Sequence, residues 1–323
     1  MTFTDKVRKI FNVRGNSARQ PGQRKHMLGD SIRNILVVVF GEFCGTFMFL
    51  MLSFAGAQTA INNNQPNIPG APLAPASLLY IACSFGTAIA VNVWVFYRVT
   101  GGMFNPAVTL GLMLVGAVKP LRGIIIIPTQ LVAAIAAAGV IDGLLPGPLT
   151  VANSLGNGTS KVQGVFLEMF LTAQLVLTVY FLAVEKHKAT YLAPIGIGIA
   201  VFIAHIVGTN YTGTSINPAR SFGPACIQGF VGYHYIYWIG PLMGSLLAFA
   251  VYWILKWLEY QSANPGQDAD DLEKAIPPPP PPAATQQQKV GHRSTPSEAS
   301  DGTLQAPVSK EQKHETLPPV ATP

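Results

Sequence analysis

Two copies of the tripeptide Asn-Pro-Ala occur in apolar surroundings, at 105–107 and at 217–219, and Arg220 directly follows the second copy. Asparagine is a strong helix N-cap and proline suits the first helical position, so each tripeptide predicts the start of a helix. The N-terminus of a helix carries unpaired N–H groups and roughly half a positive charge. Arg220 is the only Asp, Glu, Lys or Arg between Ala189 and Leu255. Because a charge is costly in so apolar a region, these residues predict a polar functional site within it.

The composition indicates a polytopic helical membrane protein. The 323 residues are 49% hydrophobic and only 11% charged, whereas soluble domains carry about 25% charged residues. Uncharged runs long enough to cross a bilayer recur along the chain. The net charge of +6 includes eight basic residues among the first 33, a clustering that indicates membrane topology rather than binding of nucleic acid. We expect membrane lipid around the protein, and neither a cofactor nor a metal ion.

Three regions differ in composition. Residues 1–33 form a basic tail, which we place in the cytoplasm, and residues 34–260 form the membrane domain. Residues 261–323 are acidic and then proline-rich, with six consecutive prolines at 277–282, which predicts a disordered cytoplasmic tail. The prolines could bind an SH3 or WW partner, although a plain solvated tail is the stronger expectation.

Six apolar segments of the membrane domain are interpreted as full spans. They lie at about 34–57, 76–97, 123–145, 164–184, 191–211 and 234–257. We reject Val99–Val118 as a seventh span because Gly101-Gly102 and Asn105-Pro106 would stop a helix from crossing whole. Six crossings also put both tails and the basic residues of the short loops on one side, as the positive-inside rule prefers.

The two halves of the membrane domain resemble each other. Phe-x-Glu-x-x-x-Thr occurs at 40–46 and at 166–172, and Thr-Gly-x-x-x-Asn-Pro-Ala-x-x-x-Gly occurs at 100–111 and at 212–223. Each half holds three spans, an odd number, so the second half is inserted upside down and an inverted repeat results. The two predicted half-helices would meet with their N-termini near the midplane, where non-helical backbone is tolerated if protein buries it or it lines a wet cavity.

Two glutamates occupy equivalent positions in the repeats. Glu42 lies in repeat one, at about 34–145, and Glu168 lies in repeat two, at about 164–258. A carboxyl group in an apolar span could act in a proton relay, which is one interpretation of these two residues. Their symmetric placement favours a structural role instead.

Paired Asn-Pro-Ala motifs in a six-span inverted repeat resemble those of the aquaporins, or major intrinsic proteins, over about 34–258. The motif residues are Asn105, Pro106, Ala107, Asn217, Pro218 and Ala219. The resemblance implies an all-α channel domain with six transmembrane helices and two re-entrant half-helices, assembled as a homotetramer. In the family, glutamates placed like Glu42 and Glu168 brace the re-entrant loops. The long basic N-terminal tail resembles that of fungal members.

The resemblance also implies a selectivity filter in the outer third of the pore. Its residues are Phe85, His205, Thr214 and Arg220. Counting agrees, because Phe85 lies early on an inward-running span, His205 lies late on an outward-running span, and Arg220 lies about 4.5 Å beyond Asn217. Phe and His narrow this constriction, and Ser221 stands where glycerol facilitators have Asp, so the filter resembles a water-selective one. It departs from the commonest pattern at Thr214, where many members have Cys.

The function implied is passive single-file conduction of water down osmotic gradients with exclusion of protons and ions, and not catalysis by an enzyme. Asn105 and Asn217 would donate to one water oxygen and so reverse the orientation of the water chain, while Arg220 and the half-helix dipoles repel cations. A channel for hydrogen peroxide, ammonia or glycerol is the alternative. An ion-coupled transporter is a remote one, since its titratable candidates are only Glu42, Glu168 and His205. A membrane scaffold that presents the proline tail is another.

Two residues are candidates for modification. Asn157 belongs to a sequon in a loop predicted to lie outside, where a glycan would be allowed. Ser17 follows Arg14 by three residues, a context for phosphorylation, which would weaken docking of the basic tail on the membrane or the pore mouth. A tail that only fixes topology is an equal alternative. We expect a plasma-membrane protein with both termini in the cytoplasm.

Overall fold

A computed structural model of the chain describes residues 30–63 and 72–263. Predictions for Ser17, for most of the N-terminal tail and for the proline run at 277–282 fall outside these residues.

Six long helices carry the fold. They are α1 Asp30–Asn62, α2 Pro75–Phe96, α4 Pro120–Leu144, α5 Lys161–Val179, α6 Ala193–Thr212 and α8 Ile236–Trp257. One π-helical turn, Tyr180–Val184, continues α5, and a 3-10 turn, Lys188–Leu192, precedes α6. All six are long and apolar enough to cross a membrane, so the protein is an integral membrane protein and the predicted number of spans is confirmed.

Two short helices complete the repeat. Helix α3, Pro106–Leu114, and helix α7, Pro218–Gln228, both begin at the proline of an Asn-Pro-Ala motif. The segment considered as a seventh span is therefore a loop followed by a nine-residue half-helix. Helix packing follows the repeat: α1 packs on α2 and α4 as α5 packs on α6 and α8, while α3 packs on α8 and α7 on α4. Each half-helix thus lies against a long helix of the other repeat.

The first helix is longer than hydropathy predicts. It begins at Asp30, four residues before the predicted start at about 34, and ends at Asn62, five beyond the predicted end at about 57. Hydropathy marks only the part of a helix that lies in hydrocarbon, whereas backbone hydrogen bonding continues into the polar zone.

Glycines allow close approach of α1 to the loop before α3 and of α8 to α5. A Cβ at Gly45 would lie 2.1 Å from a ring carbon of Phe104, and a Cβ at Gly240 would lie 2.6 Å from the Cβ of Glu168. Both distances are too short for a side chain to be accommodated without movement of its neighbours. These small-residue positions therefore pack helices within one subunit.

Candidate functional site

The site is built first from two asparagine caps. Asn105 and Asn217 have extended backbones, with φ of −154° and −153°. The Oδ1 atom of Asn105 accepts from the N–H of Ala107 at 2.8 Å, and that of Asn217 accepts from the N–H of Ala219 at 2.9 Å. Because each Oδ1 is committed to its own half-helix, each Nδ2 group must point away from it.

The two repeats are joined through these amides. Asn105 Nδ2 donates to the carbonyl of Ile216 at 2.8 Å, and Asn217 Nδ2 donates to the carbonyl of Phe104 at 2.9 Å. An amide group has two N–H donors, so one donor of each asparagine remains available. Both asparagines line the larger cavity. Each asparagine therefore has one uncommitted donor beside that cavity, where the two half-helices begin.

The residues that precede the asparagines have unusual backbones. Phe104 has φ of 50° and Ile216 has φ of 47°, a region that side-chain-bearing residues rarely adopt. Such conformations persist only where the surroundings hold them. A buried glutamate lies behind each of these loops.

Glu42 and Glu168 both accept backbone hydrogen bonds from a re-entrant loop. Glu42 accepts from the N–H groups of Met103 and Phe104 at 3.2 and 3.1 Å. Glu168 accepts from the N–H groups of Ser215 and Ile216 at 2.8 and 2.7 Å. Both carboxylates are fully buried. Charge-assisted bonds of this kind are about twice as strong as neutral ones, so they can hold the strained loops.

Each glutamate also has a side-chain partner that is not related by the repeat. Gln130 of α4 donates to Glu42 at 3.0 Å, whereas Thr212 at the end of α6 donates to Glu168 at 2.6 Å. The backbone hydrogen bonds from the loops to the glutamates therefore follow the pseudo-symmetry, whereas the side-chain partners of the glutamates do not.

Two cavities meet at Arg220. The larger has a volume of about 650 Å³ and extends past both asparagines to Phe85 and His205. The smaller has a volume of about 470 Å³ and includes Asn157 in its wall. Among the residues that the structure describes, Arg220 alone lines both cavities. Its guanidinium therefore marks the boundary between them.

Carbonyl groups and aromatic rings hold the guanidinium of Arg220. Nη1 donates to the carbonyl of Val151 at 2.8 Å, and Nη2 donates to that of Gly213 at 3.4 Å. The Cζ atom lies 5.1 Å from the ring centre of Phe85 and 5.7 Å from that of Phe54, within the range of a cation–π contact. Nε is buried and has no partner in the described part of the protein.

Phe85 and His205 stack beside Arg220. Their ring centres are 4.0 Å apart and the ring planes differ by 21°. His205 Nδ1 lies 2.9 Å from the carbonyl of Val201, and because a carbonyl only accepts, Nδ1 carries the proton in this contact. Nε2 is buried without a partner among the described residues. The imidazole thus offers an acceptor to whatever occupies the cavity.

Thr214 differs from the other three predicted filter residues. It is fully buried and lines neither cavity within the described chain. Its Oγ1 lies 3.2 Å from Thr209 Oγ1 and 3.4 Å from the carbonyl of Ala204. The structure therefore brings Phe85, His205 and Arg220 together and leaves the Thr214 hydroxyl behind the wall.

Several contacts of the site could not be identified from the sequence. Phe54 and Val151 approach Arg220, and Gln130 reaches Glu42, but none of them belongs to a repeated motif. Ser245 of α8 donates to the carbonyl of Ala107 at 2.7 Å and so ties a half-helix to the other repeat. For Gln130 and Ser245 the available signal was a polar residue in an apolar span, whereas Phe54 and Val151 gave no signal.

Comparison with known proteins decides the family. Residues 31–252 match the sequence profile of the major intrinsic proteins. The chain belongs to the major intrinsic protein family, the aquaporins. Aquaporin-1 of Gibberella zeae is 72% identical over 246 residues, which cover 76% of this chain and 77% of that protein. Aquaporin-7 of Botryotinia fuckeliana is 52% identical over 253 residues, which cover 77% of this chain and 56% of that protein.

A solved structure has the same fold. The aquaglyceroporin from Plasmodium falciparum aligns with a TM-score of 0.57 and 20% identity, over 68% of this chain and 95% of that one. At this identity the likeness concerns the fold of the aquaporin and not its permeant. The protein is thus an integral membrane channel and not an enzyme, and its relatives of high identity are fungal aquaporins.

Proposed function

We propose that this aquaporin conducts water passively in single file and excludes protons and ions. The observation that carries the proposal is the convergence of Arg220, Phe85 and His205 at the junction of the two cavities. Such a junction is where a permeant must give up most of its hydration. Fixed donors and acceptors that replace the lost hydrogen bonds select for a molecule of matching size.

The filter offers water both kinds of hydrogen-bonding group. Arg220 Nε is an unpartnered donor and His205 Nε2 an unpartnered acceptor, both buried among the described residues. The stacked ring of Phe85 adds an apolar surface beside them. A water molecule can use both polar groups at once, whereas the bulk and carbon skeleton of glycerol would have to pass between a ring pair and a guanidinium. This arrangement supports water as the permeant in preference to glycerol.

The centre of the pore supports exclusion of protons. The free N–H donors of Asn105 and Asn217 would bind one water oxygen, so that its hydrogens point away along the pore in both directions. A proton wire needs one continuous orientation of the water chain, which this arrangement interrupts. The half-helix N-termini and Arg220 add positive potential that opposes cations.

The contacts of the buried glutamates argue against a coupled transporter. Coupling needs a titratable group that is exposed alternately to the two sides. Glu42 and Glu168 are fully buried and bound by backbone N–H groups of the re-entrant loops. We therefore assign them to the support of the loops.

The assembly and location of the protein are part of the same proposal. The positive-inside rule supports cytoplasmic termini, because eight bases lie in the first 33 residues. We propose the plasma membrane as the location and a homotetramer as the assembly, the latter as a general property of the family. Asn157 lies in the wall of the smaller cavity, on the side proposed to face outward, where a glycan could be attached.

Light scattering in a stopped-flow instrument tests the proposal. Proteoliposomes that contain the full chain are exposed to a sorbitol gradient, then to gradients of glycerol and urea, and hydrogen peroxide entry is followed with an enclosed dye. We expect fast shrinkage in sorbitol and no acceleration of glycerol or urea entry over empty liposomes. Water permeability equal to that of empty liposomes, with the protein correctly inserted, would contradict the proposal.

A further inference from the structure

An extended segment forms part of the wall of the smaller cavity. Residues 148–156, which we call the outer strap, adopt neither helix nor strand, and most of them line that cavity. Leu149, Val151 and Asn153 are buried, and the residues between them are more exposed. This alternation is typical of extended backbone with one face against the protein. The strap carries the Val151 carbonyl that accepts a hydrogen bond from Arg220.

Gln58, one turn before the end of α1, binds the strap through its side-chain amide. Nε2 donates to the carbonyl of Pro148 at 3.2 Å and to Asn62 Oδ1 at 2.9 Å. Oε1 accepts from the N–H of Thr150 at 2.8 Å and from its hydroxyl at 3.1 Å. A primary amide has two N–H donors and two acceptor lone pairs, so all of its positions are used. Gln58 is only 2% exposed, and its amide is therefore a buried and fully bonded contact.

The amide of Gln58 bonds the strap as a neighbouring parallel strand would. Extended backbone presents the C=O of one residue and the N–H of the second residue after it on the same side. Gln58 contacts this pair of groups, which belong to Pro148 and Thr150. A shift of the strap by one residue would turn both groups to the opposite side. The contact therefore fixes the register of the strap against α1.

The register of the strap determines where the acceptor of Arg220 lies. Val151 directly follows Thr150, and its carbonyl accepts from Arg220 Nη1 at 2.8 Å. The carbonyl of Gly213 accepts from Nη2 at the longer distance of 3.4 Å. The shorter of these two bonds thus depends on the strap. Because Arg220 lies at the junction of the two cavities, movement of the strap would move the guanidinium at that junction.

The remaining contacts of the strap lie beyond Val151. Asn153 accepts from a hydroxyl of α7 at 2.8 Å, and the N–H of Leu155 donates to the Tyr233 hydroxyl at 3.1 Å. Before Val151, every hydrogen bond of the strap within the described chain is made to Gln58. Gln58 is therefore the hydrogen-bonding anchor of that half of the strap.

A second glutamine contacts the peptide group that holds Arg220. The N–H of Ala152 belongs to the same peptide group as the Val151 carbonyl and donates to Gln228 Oε1 at 2.8 Å. Gln228 is exposed, so water can replace it as the acceptor. Gln58 is buried, and an apolar side chain of similar size in its place would leave no room for water. Loss of the Gln58 amide is therefore the change that solvent does not compensate.

We propose that Gln58 is a positioning residue of the filter, which holds the Arg220 guanidinium against the pore wall through the outer strap. Without the Gln58 amide, the strap and the Val151 carbonyl would be free to move. The guanidinium keeps its charge and its five N–H donors, and it would then turn to water in the passage and obstruct it. The effect on conduction rests on the proposed function, whereas the contact between Gln58 and the strap does not.

Hydrogen exchange, measured by mass spectrometry on the full chain in liposomes, tests the contact. Gln58→Met replaces the amide by an apolar side chain of similar length. We expect the N–H of Thr150 to exchange about two- to ten-fold faster, as for the loss of one ordinary hydrogen bond. Tyr233→Phe is the matched control, because it releases the strap at Leu155 and should leave exchange at Thr150 unchanged. Unchanged exchange at Thr150 in Gln58→Met would overturn the proposal.

Water permeability per inserted channel tests the consequence. Gln58→Met should conduct more slowly than the unaltered chain, by about two-fold if the guanidinium spends half of its time in the passage. Tyr233→Phe should conduct normally. Normal conduction by Gln58→Met would overturn the proposal, and so would a larger loss in Gln228→Leu, which would assign the positioning to Gln228. If Gln58→Met fails to insert, Thr150→Pro removes the same N–H and hydroxyl from the strap and should give the same loss; normal conduction by that variant would overturn the proposal.

A double-mutant comparison separates positioning from a merely structural role. If Gln58 acts through Arg220, Gln58→Met should cause no further loss of water permeability in an Arg220→Val background, because the guanidinium is absent. An equal fold-loss in both backgrounds would show that the substitution damages the channel without involving Arg220 and would overturn the proposal. Faster exchange at Thr150 in proteins that conduct no water, the unaltered chain included, would leave the contact standing and overturn the proposed function.

Discussion

Asn105 and Asn217 each donate a hydrogen bond to the carbonyl group that precedes the other, at 2.8 Å to Ile216 and 2.9 Å to Phe104. The two hydrogen bonds join residues that are 111 and 113 positions apart in the chain, and together they hold the two loops against each other. It also commits one N–H of each amide and leaves the other uncommitted at the cavity wall. The central pair of donors is thus positioned by the contact between repeats and not by either repeat alone.

Replacement of a central amide by a carboxylate should open the pore to cations. Asn105→Asp keeps the Oδ1 acceptor that caps α3 but loses the Nδ2 donor to Ile216. We expect higher proton leak, because negative charge replaces a donor at the centre, and a loss of about 1–3 kcal/mol of stability from the unpaired carbonyl. A pH-sensitive dye in proteoliposomes and thermal unfolding in detergent measure the two effects. Asn63→Asp, at an exposed amide that donates to the Thr59 carbonyl far from the asparagine pair, is the control and should not raise proton leak.

Enlargement of the filter should admit larger neutral solutes. Phe85→Ala with His205→Ala removes the stacked rings but keeps Arg220. We expect glycerol and urea to enter while water flow persists, with only a small rise in proton leak because the guanidinium and both half-helix dipoles remain. Solute and pH-gradient fluxes are measured on the same proteoliposomes. A double variant that conducts water normally and still excludes glycerol would show that these rings do not form the constriction.

Removal of the filter cation should affect proton leak more than solute entry, the reverse of the result expected for removal of the rings. Arg220→Val should raise proton leak more than glycerol entry, because the ring pair still narrows the pore while the positive charge is gone. The carbonyls of Val151 and Gly213 lose a donor, at a cost of about 1–3 kcal/mol each where water does not replace it. Folding is therefore checked by thermal unfolding before fluxes are compared. Greater gain in glycerol entry than in proton leak would contradict the assigned roles.

The two buried glutamates should both stabilise the fold, with Glu168 the stronger. Glutamine in either place turns an N–H donor towards a backbone N–H and loses at least one charge-assisted bond, worth about 1.5–3 kcal/mol. Glu168→Gln should cost more than Glu42→Gln, because its loop bonds are 2.7–2.8 Å long rather than 3.1–3.2 Å. Thermal unfolding in detergent measures both. The exposed Glu259→Gln serves as control, and equal melting temperatures of all three variants would contradict the bracing role.

Acid should remove the contribution of Glu185. Partial burial raises the pKa of Glu185, but the Tyr252 hydrogen bond and the ion pair with Lys256 outweigh it, so the pKa lies below its ordinary value. A carboxyl group with a lowered folded-state pKa stabilises the protein above its unfolded-state pKa, near 4.3, and this contribution disappears as the pH falls through the folded-state value. Glu185→Gln should therefore melt at a lower temperature than the unaltered protein at pH 7. The two should converge as the pH falls through the folded-state pKa of Glu185, and a gap that does not narrow as the pH falls would assign the effect to packing.

The glycine spacings predict close packing but not the residues against which the glycines pack. Gly41/Gly45 and Gly240/Gly244 are small-residue pairs that permit close helix packing, within a subunit or between subunits. The structure assigns Gly45 to contact with Phe104, and Gly240 to contact with Glu168, in the same chain. The spacing of the glycines does not predict whether the contact is within a subunit or between subunits, because it indicates only that one face of the helix lacks bulky side chains.

The sequence by itself determined the six spans, the two half-helices and the inverted repeat, because hydropathy, N-capping and proline geometry act over a few neighbouring residues. It also indicated Arg220 as a functional residue, since a charge in an apolar segment is costly wherever it lies. Only the tertiary structure decided that Val151 holds Arg220 from 69 residues away, that Thr214 turns its hydroxyl behind the pore wall, and that Arg98, Arg122 and Lys186 line the same cavity as Arg220. These relations depend on how the long helices pack and how the loops between them fold back, and a contact between distant segments leaves no periodic signal in either segment.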